Sequence, residues 1–312
     1  MIHIEILLTE DQIASEFLDA LENHDLPEKF FYWFPLSIRA WINLCGDGAY
    51  RNYVRSHSVL QEHAADLVSM LPSEPIELIS LGAGQGTKDF LIMNQLKKQG
   101  KYSNYIPVDA SQGLLEIACK SAQDKNFACR GIKADLINDA HLVDMQKILD
   151  DKPRLLMILG NTLGAFDPLE FAVKLDKMMR PDDFLILDGE IFNQTETIAG
   201  YDNPINRQFA FGPLSSVGLS EPEDGMLNID TDLDKRRPGL YRIRKQFHVA
   251  RDLKVLLAGE TVLLPSNTNI EMSWSYKYDR DALIDLITSS GMQLIAEHAS
   301  NDKRFITLLL KK

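Results

Sequence analysis

Between Pro75 and Glu190 the chain repeats one unit: a short apolar run, a turn, then a stretch with apolar residues every three or four positions. The runs at 76–81, 104–108, 127–133, 154–159 and 184–187 read as strands, and the stretches at 87–99, 111–122, 141–149 and 168–179 as helices. Strands separated by amphipathic helices cannot pair as hairpins. They must lie parallel with helices on both faces, so the expected fold class is α/β with a doubly wound parallel sheet.

The flanks have a different texture. Residues 1–70 are helix-rich, with amphipathic segments at 11–23 and 57–70 on either side of Phe30-Phe31-Tyr32-Trp33-Phe34. In that block Phe30, Phe31 and Phe34 read as core residues, and the block around Tyr32 as a lid. Residues 191–269 are turn-rich, with Asn203-Pro204, Glu221-Pro222 and Pro238-Gly239, and contain hairpin-like runs at 242–248, 254–257 and 261–264. A helix at 280–290 and strand-like runs at 292–297 and 305–310, split by Ser300-Asn301-Asp302, close the chain. The expected organisation is a main domain of 1–190 with 274–312, interrupted by an α+β subdomain at 191–273 that binds substrate. A length of 312 residues accommodates two such units.

Composition excludes several classes. Thirty-three Lys and Arg against 45 Asp and Glu give a net charge of −12, which repels nucleic acid. The acidic start lacks the basic region of a signal peptide and no apolar run reaches ~20 residues, so a cytoplasmic protein without a membrane partner is expected. Cys45, Cys119 and Cys129 have no CxxC spacing and read as reduced thiols rather than a disulfide or zinc framework. The seven histidines form no HExxH, and neither G-x-S-x-G nor G-x-x-x-x-G-K-[ST] occurs. No metal is expected, and nothing in the sequence fixes an oligomeric state.

Chemistry concentrates at Gly82-Ala83-Gly84-Gln85-Gly86, which leaves the first strand and enters a helix. Glycines at alternate positions let backbone approach a ligand closely, and helix N-terminal N–H groups donate to polar or anionic groups. Thr87 stands where the dinucleotide pattern G-x-G-x-x-G has its last glycine. Asp109 ends the second strand, where a carboxylate can accept both ribose hydroxyls of a nucleoside. Asp135 follows the third, where it can accept from an adenine amino group. Either aspartate alone reads as a helix cap or turn residue; together, behind a glycine turn, they indicate a nucleoside cofactor.

The same strings resemble the histidine-specific S-adenosylmethionine-dependent methyltransferase family. Leu26-Pro27-Glu28-Lys29-Phe30-Phe31-Tyr32 is similar to LPPKWFY, Leu81-Gly82-Ala83-Gly84 with Lys88 to LGSG and its lysine, and residues 105–111 to YVPVDVS. Residues 159–168 resemble LGSTIGNFDP, Tyr201-Asp202-Asn203 resembles YDD, and Ser275-Tyr276-Lys277-Tyr278 resembles S-x-K-[YF]. The resemblance implies a Rossmann-like methyltransferase sheet with an antiparallel last strand, and S-adenosyl-L-methionine as cofactor. It implies donor contacts from Tyr32, Gly82, Ala83, Gly84, Lys88, Asp109, Ala110, Asp135, Leu136, Gly160 and Asn161, with Lys88 at the methionine carboxylate. Thr162, Ala165, Tyr201, Ser273 and Ser275 would face the substrate, and Tyr32 and Tyr201 would be catalytic.

Three departures bear on the substrate. Ser80 stands where the family has Glu, Ala165 where an Asn would hold the substrate carboxylate, and Ser273 where a Glu would hold the imidazole. Removing such groups leaves a polar ligand's buried donors unpaired, at about 1–3 kcal/mol each. The expected acceptor is therefore an amino acid or small amine other than histidine, with Glu271 as a carboxylate that a shifted loop could return to the pocket. Methyl transfer to oxygen or carbon and a non-catalytic nucleoside-binding homologue are the alternatives. An NAD-dependent oxidoreductase would share the glycine turn and Asp109, but the closing hairpin and the family strings oppose it.

Overall fold

The computed structural model describes residues 2–48, 50–150 and 152–312. The chain runs through β1 (Ile4–Ile6), α1 (Glu10–Glu22), a 3-10 turn (Glu28–Tyr32), α2 (Pro35–Gly46), α3 (Arg51–Ser69), β2 (Ile76–Leu81) and α4 (Asp89–Lys98). It continues through β3 (Tyr102–Asp109), α5 (Gln112–Asp124), β4 (Gly131–Lys133), α6 (Asp139–Ile148), β5 (Arg154–Ile158), a second 3-10 turn (Thr162–Ala165), α7 (Pro168–Met178) and β6 (Phe184–Glu190). Next come α8 (Gln194–Tyr201), α9 (Pro204–Ser216), β7 (Gly225–Leu233), β8 (Leu240–Val249), β9 (Leu253–Leu257), β10 (Glu260–Leu264) and β11 (Asn269–Tyr278). Helix α10 (Arg280–Thr288), β12 (Gln293–Ala299) and β13 (Phe305–Lys311) close the chain.

Eight strands form one sheet in the order β1-β4-β3-β2-β5-β6-β13-β12. All neighbours from β1 to β6 are parallel, while β13 is antiparallel to both β6 and β12. The expected doubly wound sheet with an antiparallel last strand is thus the observed one. Every residue of β2 and β5 is buried, because helices cover both faces. The helices begin where the sequence supplies caps: Ser111 accepts from the Leu114 N–H, Asn138 from the Ala140 N–H, and Asp167, ahead of Pro168, from the Leu169 N–H.

Several elements differ from the sequence reading. The expected strand at 127–133 shrinks to β4, with Cys129 making a single bridge to Tyr105, and β1 takes the outer edge, where His3 accepts the Gly131 N–H. Helix α9 lies in the segment read as turns and contains Pro213; buried Phe209, Ala210 and Leu214 hold it against α2, and a Cβ on Gly212 would come within 3.0 Å of Ser37 Oγ. Tertiary contact overrides weak propensity there. Strand β11 runs through the boundary expected at 273/274, with a bulge between Glu271 and Trp274. It pairs with β8, which pairs with β7, and β9–β10 is a separate hairpin turning on Ala258 and Gly259, both at positive φ.

Two apolar clusters line the faces of the large sheet. A third joins Phe17, Phe30 and Phe31 of the opening segment to Phe209, Phe247 and Ile270 of the inserted one. The layer beside the large sheet is therefore built from two separate stretches of chain. Phe30 and Phe31 are core, as expected, and Phe17 packs on Phe30 and Phe34 with ring centroids 5.2 Å apart, which ties the aromatic block to α1. Among the described residues no helix is long and apolar enough to cross a membrane.

At the sheet end away from the glycine turn, Arg154 is buried with Asp183; its Nε donates to both carboxylate oxygens at 3.0–3.1 Å, and Nη2 to the Met178 carbonyl at 3.2 Å. Removing one partner strands a buried charge, at about 3–5 kcal/mol. Arg154→Ala is expected to lower unfolding free energy in urea by that amount; a loss below about 1 kcal/mol contradicts the pairing.

Candidate active site

One cleft opens at the C-terminal ends of β2, β3 and β5, roofed by the first 3-10 turn, α2, α8, α9 and β8. Crevices outside the carboxyl ends of parallel strands are where such sheets bind ligands. Tyr32, Gly82, Ala83, Gly84, Lys88, Asp109, Ala110, Asp135, Leu136, Gly160, Asn161, Thr162, Ala165, Tyr201 and Ser275 all line it. Ser273 does not.

The glycine turn is shaped by backbone and by close approach. Gly82, Gly84 and Gly86 sit at φ of 70°, 55° and 70°, and a Cβ on Gly82 would lie 2.5 Å from the Thr162 methyl. The Gly84 N–H donates to Asp109 Oδ2 at 2.8 Å and the Ser111 N–H to Oδ1 at 2.9 Å, so Asp109 locks the turn to the end of β3. Burial pushes its carboxyl upward. Gly160 sits at φ 79°, a conformation that favours glycine, and Lys88 Nζ lies across the space beside its Cα. Asp135 is held by the Ile137 N–H at 3.0 Å and by Lys29 Nζ at 2.6 Å.

Ser80, where the resemblance expects a Glu, lies beside a different carboxylate. Asp89 at the start of α4 shares a hydrogen bond with Ser80 and accepts the Tyr105 hydroxyl at 2.5 Å. Burial raises its carboxyl to about 6.

On the other side, Tyr201 donates to Ser275 Oγ at 3.0 Å, and Lys277 Nζ donates to the same oxygen at 2.9 Å. Lys277 is fully buried, 3.1 Å from Glu190. Burial pushes the Tyr32 and Tyr201 hydroxyls well above the usual phenol range, and nearby carboxylates add to this, so both keep their protons at neutral pH. Thr162 donates to the Leu159 carbonyl at 2.8 Å, and the methyl of Ala165 leaves its stretch of wall apolar. The Asn161 side chain is spent on the fold: Nδ2 donates to the Tyr276 carbonyl at 3.0 Å and Oδ1 accepts the Glu190 N–H at 3.0 Å.

Ser273 needs a correction. It sits in the β11 bulge at φ 65°, it does not line the cleft, and its hydroxyl donates to Glu28 Oε2. Glu271 does not return a carboxylate either, because Arg244 holds it at 2.6 Å and Gln246 also donates to it. A further carboxylate in the cleft, besides Asp109 and Asp135, is Glu28; the sequence reading did not single it out as a site residue, nor Lys29, Trp41, Tyr50, Phe209 and Lys245. Its one signal was that Leu26-Pro27-Glu28-Lys29 carries Glu where the family string LPPKWFY has Pro.

Residues 13–312 match the family described as histidine-specific methyltransferase, SAM-dependent. The chain belongs to this family. It is 24% identical over 252 residues to the N-methyltransferase fsqC of Aspergillus fumigatus, covering 76% of this chain and 66% of that one. It is 23% identical over 182 residues to a histidine N-alpha-methyltransferase of Mycobacterium tuberculosis, covering 56% and 53%. To ergothioneine biosynthesis protein 1 of Neurospora crassa it is 22% identical over 265 residues, covering 81% of this chain and 29% of that one. The chain thus spans less than two-thirds of each relative's own length. Among solved structures, the 1,6-didemethyltoxoflavin-N1-methyltransferase of Burkholderia thailandensis superposes with a TM-score of 0.45 at 10% identity, over 98% of this chain and 91% of that one.

S-adenosylmethionine is the family's methyl donor, and the cleft's lining fits it: acceptor carboxylates at Asp109 and Asp135 for a nucleoside, the Lys88 ammonium for a carboxylate, and a glycine turn at positive φ that brings backbone to the cleft.

Asp89 yields a pH prediction. Its folded pKa of about 6 lies above that of an unfolded Asp, near ~3.9, so its contribution to stability is present at low pH and is lost as pH rises through about 6. Asp89→Asn removes that loss. Its stability in urea relative to the parent is expected to rise by about 2–3 kcal/mol between about pH 4 and pH 7.5; a difference independent of pH contradicts the assignment.

Proposed function

We propose that this chain transfers a methyl group from S-adenosylmethionine to the nitrogen of an amino acid or small amine other than histidine. The observation that carries the reading is the acceptor wall. The two positions whose family residues would hold histidine are Ala165, an apolar stretch, and Ser273, which lies outside the cleft. The printed name of the Aspergillus relative, an N-methyltransferase, supports nitrogen as the accepting atom.

In this reading Gly82, Ala83, Gly84, Ala110, Leu136, Gly160 and Asn161 shape the donor pocket. Asp109 takes the ribose hydroxyls, Asp135 the adenine edge and Lys88 the methionine carboxylate. Residues 191–273 act as the substrate-binding subdomain together with the opening helices. The bound donor supplies an electrophilic methyl group on a sulfonium sulfur. The protein's part is alignment and exclusion of water. Tyr32 and Tyr201 are the proposed catalytic residues: as protonated hydroxyls they orient the acceptor by hydrogen bonding rather than serve as phenolate bases. Ser275, fixed by Tyr201 and Lys277, offers its oxygen on the same wall, beside Thr162 and Ala165.

Two measurements test this. S-adenosylhomocysteine release across a panel of amino acids and amines is expected with at least one amine and not with histidine; turnover of histidine above every other acceptor, or of oxygen nucleophiles alone, overturns the acceptor assignment. Calorimetric titration of Asp109→Ala with S-adenosylhomocysteine should show affinity weakened about 100-fold or more, because two hydrogen bonds to a charged acceptor are worth about 3 kcal/mol or more. Unchanged affinity removes Asp109 from the donor site.

A further inference from the structure

The acceptor half of the cleft contains a carboxylate to which the donor-site assignment gives no role. Glu28 enters from the first 3-10 turn; its Oε1 accepts the Tyr32 hydroxyl at 2.9 Å, its Oε2 accepts the Ser273 hydroxyl, and Lys245 Nζ lies 3.6 Å away. A carboxylate has about four lone-pair sites. Two are filled at hydrogen-bond distance, and the group still lines the cleft.

Four rings lining the same cleft enclose this position. Tyr32 stands edge-on to Trp41 with centroids 5.2 Å apart, Phe209 lies 5.5 Å from Tyr32 and 5.2 Å from Trp41, and Tyr50 is 6.1 Å from Trp41. Aromatic faces around a fixed carboxylate are the chemistry that recognises an ammonium group. Lys245 Nζ, at 3.6 Å, stands beyond hydrogen-bond distance from Glu28; burial pushes its ammonium pKa down and Glu28 pushes it back up.

We propose that Glu28 and the rings of Tyr32, Trp41, Tyr50 and Phe209 form the amine seat of the acceptor, which makes the substrate class an amine that becomes cationic on methylation. The assignment rests on the methyltransferase reading of the cleft and deepens it. The nitrogen lone pair forms the new N–C bond while the electron pair of the breaking C–S bond returns to sulfur. Sulfonium and neutral amine thereby become thioether and N-methylammonium, which keeps its proton. The positive charge travels from sulfur to nitrogen, and a carboxylate with aromatic faces at the nitrogen stabilises it where it arrives. Ser273, on β11, donates to Glu28, so the carboxylate at this point is carried by the first 3-10 turn and not by β11.

The test is calorimetry on protein saturated with S-adenosylhomocysteine, titrated with choline and with its neutral isostere 3,3-dimethylbutan-1-ol. Wild-type protein should bind choline about tenfold or more tightly than the isostere. Glu28→Gln should shrink that preference to about threefold or less while S-adenosylhomocysteine affinity stays within about twofold. Equal binding of the two probes by the wild type overturns the amine seat without any variant, as does a preference that survives Glu28→Gln. A wild type that binds choline selectively but no S-adenosylhomocysteine overturns the methyltransferase reading instead, so the two failures are distinct.

Discussion

One buried asparagine joins the two layers of this molecule. Asn161 follows β5 at φ 62°, a left-handed conformation that asparagine tolerates better than most residues. Its N–H donates to Asp188 at 2.8 Å, while its side chain bonds β6 at Glu190 and β11 at Tyr276. The sheet that carries the glycine turn is thereby fixed against the layer that carries the acceptor wall. Around it lies a buried polar seam: Glu190 accepts from Asn52 at 2.5 Å and Thr197 at 3.0 Å and pairs with Lys277, which in turn holds Ser275. Each member is satisfied by another, which is the condition for such a network to rigidify a site rather than weaken it. Methyl transfer depends on a fixed distance between donor and acceptor, and this seam sets the distance between the walls that would hold them.

The first 3-10 turn is a second link. Glu28 accepts the Tyr32 hydroxyl on the cleft's aromatic side, whereas its neighbour Lys29 reaches Asp135 at 2.6 Å and also pairs with Glu16. Successive residues of one short turn therefore touch both halves of the cleft. The turn is itself pinned by Phe30 and Phe31 in the apolar cluster below it, so it is a packed element rather than a loose loop.

Much of this was legible in the sequence where local signals and tertiary structure agree. Strands β2, β5 and β6 are mostly apolar, the glycine turn marks its own backbone conformation, and Asp109 and Asp135 stand at or just beyond strand ends. Strand β7 was not legible because its Asn-Ile-Asp-Thr-Asp stretch is polar and gains its pairing only from β8. Helix α9 was masked by Pro213 and exists because α2 covers it. The surroundings of Ser273 were not legible for a related reason: it sits in a bulge at positive φ, which an ungapped match to a family string does not reveal. Glu28 was hidden because its role comes from residues nearly the whole chain away, Ser273 and Lys245, which no spacing rule connects.

The central claim is that one cleft seats the methyl donor against the glycine turn and leaves the acceptor chamber open beside it. A crystal structure of the protein with S-adenosylhomocysteine tests this most directly. The account predicts the ribose on Asp109, the amino-acid tail at Lys88, and the sulfur facing the space between Tyr32, Tyr201 and Ser275. Density for the molecule elsewhere, or with its sulfur turned away from that space, contradicts it.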